Sequence, residues 1–169
     1  MRKRCEFVAV VLLFVSSMAG AATAGIFDPS RNAANDLAAA EQQAAAQHKN
    51  VLLDVGGNWC SWCILLDRFL HDNADLASLV EDHYVVVHVN MSRENPNAAF
   101  LARYPRIAGY PFLIVLSPQG KLLHAQATDP LQNSENLQDG YSRKRVRAFL
   151  TKWPRAPRGL RQACDRLAF

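Results

Sequence analysis

The chain has 169 residues, half of them hydrophobic and a fifth charged, with a formal net charge of +4. That is about one domain's worth, on a scale of roughly 100–200 residues per domain. The apolar content excludes an intrinsically disordered chain, four cysteines over this length are too few for a disulfide scaffold, and so small and uneven a charge does not argue for nucleic acid.

Arg2, Lys3 and Arg4 precede an apolar run over residues 7–15, and small residues follow as far as Ala22-Thr23-Ala24. This pattern predicts a cleavable secretory signal peptide over residues 1–24, cut after Ala24. As a membrane anchor the run falls well short of the roughly 20 residues that a spanning helix needs. Cys5 leaves with the signal, so the exported chain keeps Cys60, Cys63 and Cys164. Export sends these thiols to an oxidising compartment, where they pair or do chemistry. An odd count leaves at least one of them without an intramolecular partner.

Asp28-Pro29-Ser30 predicts a helix start, and Ala33, Leu37, Ala40 and Ala44 continue at helical spacing to about residue 48. Residues 25–50 are therefore expected to form an N-terminal helical extension. A short buried strand is expected over 51–55, broken by Gly56-Gly57. A helix over 60–71 follows, with Ile64, Leu65, Leu66, Phe69 and Leu70 as its buried side. Next come a short helix over 73–82, a β-branched strand over 84–90 and a helix over 96–104. Strands at 112–116 and 122–125 flank Ser117-Pro118-Gln119-Gly120, a hairpin turn signal. After a polar loop over 130–140, Ser142 caps a last helix bearing Val146, Phe149, Leu150 and Trp153, stopped by Pro154. Strands separated by helices, then a hairpin, predict an α/β domain with a central mixed sheet flanked by helices on both faces.

The chemistry concentrates at Trp59-Cys60-Ser61-Trp62-Cys63, between a strand and a helix. A thiol at a helix N-terminus faces unpaired backbone N–H groups and the positive end of the helix dipole, and both favour the thiolate. The two-residue spacing puts Cys63 one turn further on, within reach of a mixed disulfide made by Cys60. That is the minimum apparatus for thiol–disulfide exchange. Zinc would need two more soft ligands at suitable spacing, and c-type haem a histidine where Ile64 stands. A purely structural bridge stays open.

Four landmarks in order resemble the thioredoxin superfamily, specifically the secreted bacterial thioredoxin-like proteins with a Trp-Cys-x-x-Cys site. Val51-Leu52-Leu53-Asp54-Val55 is similar to the strand before the redox motif, and Trp59-Cys60-Ser61-Trp62-Cys63 to the motif itself. Val86-Val87-His88-Val89-Asn90 is similar to the next central strand, and Gly109-Tyr110-Pro111-Phe112 to the cis-proline segment. The resemblance implies a thioredoxin fold over residues 51–153. It implies that Cys60 is the attacking nucleophile and Cys63 the resolving thiol of a redox-active disulfide. Asp54 would be a buried acid, favoured in its neutral form by desolvation and able to exchange the Cys63 proton. Pro111 would be a cis-proline facing the cysteines, and the Tyr110 backbone would pair with an extended substrate. Trp59 and Trp62 complete the expected substrate-binding set. Against these stand a solvent-facing Asp54, a Trp59 that only packs the core, and a Tyr110 that is a plain surface aromatic.

Departures from the family pattern are also visible. His88 stands where a lysine often partners the buried acid; beside Asp54 it would titrate near neutral pH, and as a satisfied core histidine it would not. Ile64 replaces a frequent lysine, and Ser61-Trp62 replaces Gly-Pro, so no redox potential is implied. Residues 128–140 exceed the compact pattern and read as a tolerated surface loop. From Tyr141 onward nine Lys or Arg residues face one acid, Asp165, whereas the rest of the exported chain has seven basic and thirteen acidic residues. This reads as a basic helix face that pairs with the body's own acids, with docking to an anionic surface as the alternative. In the basic tail, residues 154–169, Leu160, Cys164 and Leu167 share a helical face. Cys164 there reads as a packed apolar residue, an intermolecular disulfide being the alternative, and a monomer is expected.

The expected function is a periplasmic thiol–disulfide oxidoreductase acting on protein disulfides, more as a reductase than an oxidase. No nicotinamide or flavin fingerprint is present, so no cofactor is expected. Recharging falls to a partner, which the resemblance implies is a membrane thiol-transfer protein. A binding module using the Tyr110–Pro111 edge is one alternative. A Cu(I)-handling protein with Cys60 and Cys63 as soft ligands is another, although Met91 is the one methionine left after export.

Overall fold

The computed structural model describes residues 25–136 and 140–153. The expected signal peptide with Cys5, and the basic tail with Cys164, lie outside the described residues.

The centre of the sheet is β1 (Asn50–Gly56), all seven residues of which are buried. An unbroken apolar run such as Val51-Leu52-Leu53 suits a strand covered on both faces. On one side β1 pairs in parallel with β2 (Tyr84–Asn90), and on the other it pairs antiparallel with β3 (Phe112–Leu116). β4 (Leu122–Ala127) is antiparallel to β3, which gives the order β2-β1-β3-β4. The expected mixed sheet flanked by helices is the one observed.

Alternation along the strands sorts side chains into two cores. Val51, Leu53 and Val55 join Val87, Val89, Phe112, Ile114 and Leu116 beneath α1 (Ala33–Gln47), which contributes Ala33, Leu37, Ala40 and Ala44. α1 is therefore a packed layer of the domain, and its small alanines make a close approach to the sheet possible. On the opposite face Leu52, Leu113 and Val115 meet Leu66 of α2 (Ser61–Asp72), Leu76 of α3 (Ala74–His83) and Val146, Phe149 and Leu150 of α5 (Arg143–Lys152). The buried Tyr84 hydroxyl donates to the Leu150 carbonyl at 2.8 Å and ties α5 to the start of β2.

Several local details differ from the sequence expectation, each for a reason of hydrogen bonding. α1 starts at Ala33 because Asn32 is its cap, accepting from the Ala34 and Asn35 N–H groups at 3.0 Å each. Asp28 instead closes a turn onto Ser30, accepting from its N–H at 2.8 Å and its hydroxyl at 2.7 Å. α4 is a single turn (Ala98–Leu101) in place of a helix over 96–104. Asn97 precedes it with φ of 47° and donates its side-chain amide to the Asn90 carbonyl, while Asn90 donates to Asn95. Such side-chain bonds compete with helix formation, and Pro105 removes the donor that further turns would need. The polar loop is better anchored than its composition suggests. Thr128 and Leu131 are buried, a short 3-10 turn covers Asp129–Leu131, and Gln132 bridges to Tyr141. On α5, Arg143 and Arg147 both pair with Asp75 of α3, so part of the basic face does meet the body's own acids.

Candidate redox site

β1 ends at Gly56, and Gly57, Asn58 and Trp59 turn the chain so that Cys60 becomes the cap of α2. The turn is closed by the Cys60 N–H donating to the Gly57 carbonyl at 2.9 Å. Cys60 has extended backbone geometry, and its Sγ accepts from the Cys63 N–H at 3.2 Å. The sulfur thus occupies the place of a capping oxygen, where an orphan N–H and the helix dipole both favour negative charge. Cys60 and Cys63 form a disulfide with Cα atoms 5.2 Å apart.

The two sulfurs have unequal surroundings. Cys63 is fully buried, and Cys60 is 6% exposed. Trp59, 61% exposed, stands at the rim; its indole N–H donates to the Met91 carbonyl at 2.6 Å, which fixes the ring as an outward-facing plate. Tyr110 meets it edge to face at 5.6 Å between ring centroids. Tyr110 packs on the cysteine cluster, and its bond to the buried Pro111 is cis. Trp62, one residue before Cys63, is half-buried rather than displayed. Its ring meets Tyr141 edge to face at 5.5 Å, and its carbonyl accepts from the Tyr141 hydroxyl at 3.2 Å. Burial pushes the Tyr141 phenol up to about 12, so it stays a neutral donor there.

Asp54 lies on the same face of β1 as Gly56, two residues before it, and is 5% exposed. It does not face solvent. In register with it on β2 is His88, whose Nδ1 stands 3.3 Å from Asp54 Oδ2. The pair is an ion contact without hydrogen-bond alignment, since neither Asp54 Oδ1 nor His88 Nδ1 has a hydrogen-bond partner among the described residues. Burial pulls the His88 imidazole down, but the Asp54 carboxylate and, secondarily, Asp67 outweigh it, so its pKa lies above the ordinary histidine value.

Two further residues belong to the site and escape sequence reasoning. Phe27 is fully buried in one cluster with Cys60 and Cys63. Asn58 clamps it, accepting from the Phe27 N–H at 3.1 Å and donating to the Phe27 carbonyl at 2.8 Å. The partners are 31 residues apart, and neither carries a local signal of the other. Gly56 is the third element of this contact: a Cβ there would stand 2.6 Å from the Cys63 Sγ and 2.9 Å from the Phe27 Cζ. No other residue fits without displacing one of them.

Among the described residues, no group of three or more His, Cys, Asp or Glu side chains gathers as a metal site. A family model described as thioredoxin-like matches residues 32–118. Among solved structures, the chain is similar to a disulphide isomerase from Xylella fastidiosa Temecula1, with 26% identity and a TM-score of 0.65, over 78% of this chain and 98% of that one. It is also similar to the C-terminal domain of DsbD from Neisseria meningitidis in its oxidised form, with 19% identity and a TM-score of 0.45, over 57% of this chain and 83% of that one. A thioredoxin from Thermus thermophilus shares 23% identity with a TM-score of 0.42, over 52% of this chain and 68% of that one. No curated protein matches the sequence.

Proposed function

We propose a function from one premise: the chain belongs to the thioredoxin-like family. Within it, this protein is a thiol–disulfide oxidoreductase, and we assign it the reduction of disulfides in protein substrates after export to the periplasm. One observation carries the reading above the others. Cys60 Sγ caps α2 as one half of a disulfide, beside the exposed Trp59 and the half-buried Tyr110 that meets it.

In the reduced enzyme the Cys60 thiolate attacks one sulfur of a substrate disulfide. A Cys60–substrate bond forms, and the other substrate sulfur leaves with the electron pair and takes a proton from solvent. Cys63 then gives its proton to Asp54 and attacks Cys60 Sγ, expelling the second substrate thiolate and closing the Cys60–Cys63 bond. Two electrons have passed to the substrate. The oxidised pair must be reduced by another dithiol, and we assign that role to a membrane thiol-transfer protein. The Asp54 carboxylate supports the reductase direction. A buried acceptor without a hydrogen bond is costly, and proton exchange with Cys63 gives Oδ1 a use. Trp59 and Tyr110 guide an extended chain, and Pro111, lacking an N–H, leaves the Tyr110 backbone free to pair with it.

The test is the reduction potential of the pair, measured by equilibration in graded thiol buffers. A value near about −270 mV supports a reductase, and one near about −120 mV makes the protein a disulfide donor instead. The likeness to a disulphide isomerase favours a second reading, in which the substrate's own thiol resolves the mixed disulfide. Cys63→Ser separates the two, since isomerisation survives it and net reduction does not. A pure binding module is excluded if Cys60→Ser abolishes function.

A further inference from the structure

We propose that Phe27, held by Asn58, is a positioning residue that shields the Cys63 sulfur, so that Cys63 reacts with Cys60 and with no external disulfide. This deepens the redox reading and rests on it. Phe27 lies in a segment without regular secondary structure, and a phenylalanine in such a place is normally part-exposed; here it is fully buried. Its main chain is gripped at both N–H and carbonyl by Asn58, which belongs to the turn that delivers Cys60. The segment's other end is pinned as well, because the Asn95 amide donates to the Pro29 and Arg31 carbonyls at 2.9 Å each. The hold is thus specific to the redox turn and its neighbour, not a general collapse onto the core.

The ring's position follows from Gly56. The Cys63 Sγ and the Phe27 Cζ border the same narrow space above this glycine, so the ring fills the room beside the sulfur. The ring also meets His88 edge to face at 5.4 Å, on the side towards β2. A fully buried sulfur beside this ring offers a large substrate no approach. Resolution needs no such approach. Cys63 loses its proton, its sulfur bonds to Cys60 Sγ, the Cys60–substrate bond breaks, and the substrate sulfur leaves with the electron pair. Without the ring, Cys63 would meet solvent and could be captured in mixed disulfides of its own.

The experiment is iodoacetamide alkylation of the reduced full chain, with the Cys60, Cys63 and Cys164 peptides followed separately by mass spectrometry. Phe27→Ala should open an approach to the sulfur and speed alkylation of Cys63 about tenfold or more, and that of Cys60 by less than about threefold. Phe27→Leu should restore most of the protection. Asn58→Ala, which keeps the ring and removes its clamp, should give the same Cys63-selective rise. Two results overturn the proposal: Cys63 no faster in Phe27→Ala and Asn58→Ala than in the wild type, or Cys60 and Cys63 accelerating together, which is loosening of the whole domain. If Phe27→Ala does not fold by circular dichroism, Asn58→Ala decides by the same criteria. A wild-type pair that fails to cycle in thiol buffers would sink the redox reading, whereas Cys63 protection is read by alkylation whether or not the pair cycles.

Discussion

Alternate residues of β1 serve two different faces of the sheet. Towards α1 the strand presents Val51, Leu53 and Val55, all fully buried among alanines, valines and Phe100. Towards α2 it presents Leu52, then Asp54 beside His88, then Gly56 against the Cys63 sulfur. The first face can be described by volume alone. On the second, the steps towards the C-terminal end of the strand give up apolar packing, first for a buried carboxyl and then for no side chain at all. The strand has a period of two, so one residue of slippage would bury the valines under the redox loop and put the carboxylate under α1.

Substitutions that act on one face and spare the other break the comparison. Leu53→Ala should have the largest effect on stability, about 2–5 kcal/mol by chemical denaturation, with the rate of Cys60 alkylation in the folded protein unchanged. A changed Cys60 rate would mean the two faces are coupled. Asp54→Asn keeps volume on the other face and removes the base. Resolution of a preformed Cys60 mixed disulfide should slow by about a hundredfold, the low end of general-base contributions, measured by release of the substrate thiol in single turnover. Equal rates for Asp54→Asn and wild type would remove Asp54 from the mechanism. Gly56→Ala should cost about 1–3 kcal/mol by overpacking, and it should lower the fraction of closed Cys60–Cys63 disulfide at equilibrium in a thiol buffer. Stability loss with an unaltered thiol–disulfide equilibrium would show that Gly56 is needed only for packing.

How much of this was legible in the sequence depends on the range of the interaction. The strands, the α2 start and the Cys60–Cys63 pair follow from local periodicity and spacing, and each appears where expected. The cap of α1 at Asn32 and the shortness of α4 were missed because asparagine side chains choose among several nearby backbone groups, and composition does not say which. α1 reads as an extension in the sequence. Its alanine stripe offers little apolar area, and only its place on the sheet shows it to be a layer of the core. The Phe27–Asn58 clamp has no sequence signal, since it joins a loop to a turn across 31 residues through two backbone groups. His88 lies between the two cases: the sequence offers Asp54 as its partner beside a satisfied core histidine, and the register Asp54↔His88 with a 3.3 Å contact decides for the pair.

The smallest expected effect concerns that register pair and has a definite sign. His88 faces the carboxylates of Asp54 and Asp67, and His71 and Glu81 line the same cleft between α2, α3 and β2. The acids outweigh burial, so the folded protein holds the His88 proton more tightly than the unfolded chain does. The stabilisation is then fully present below the unfolded value of about 6.5 and is lost as pH rises through the higher folded pKa. Over that window the folded state carries more protons, and the free energy of unfolding falls with increasing pH. His88→Gln removes the titration and keeps a polar side chain. Urea midpoints of wild type and His88→Gln, taken from about pH 5 to about pH 9, should show a wild-type advantage at the acid end that shrinks towards the alkaline end. An advantage that stays constant, or grows with pH, would mean that burial outweighs the acids and holds the imidazole of β2 neutral after all.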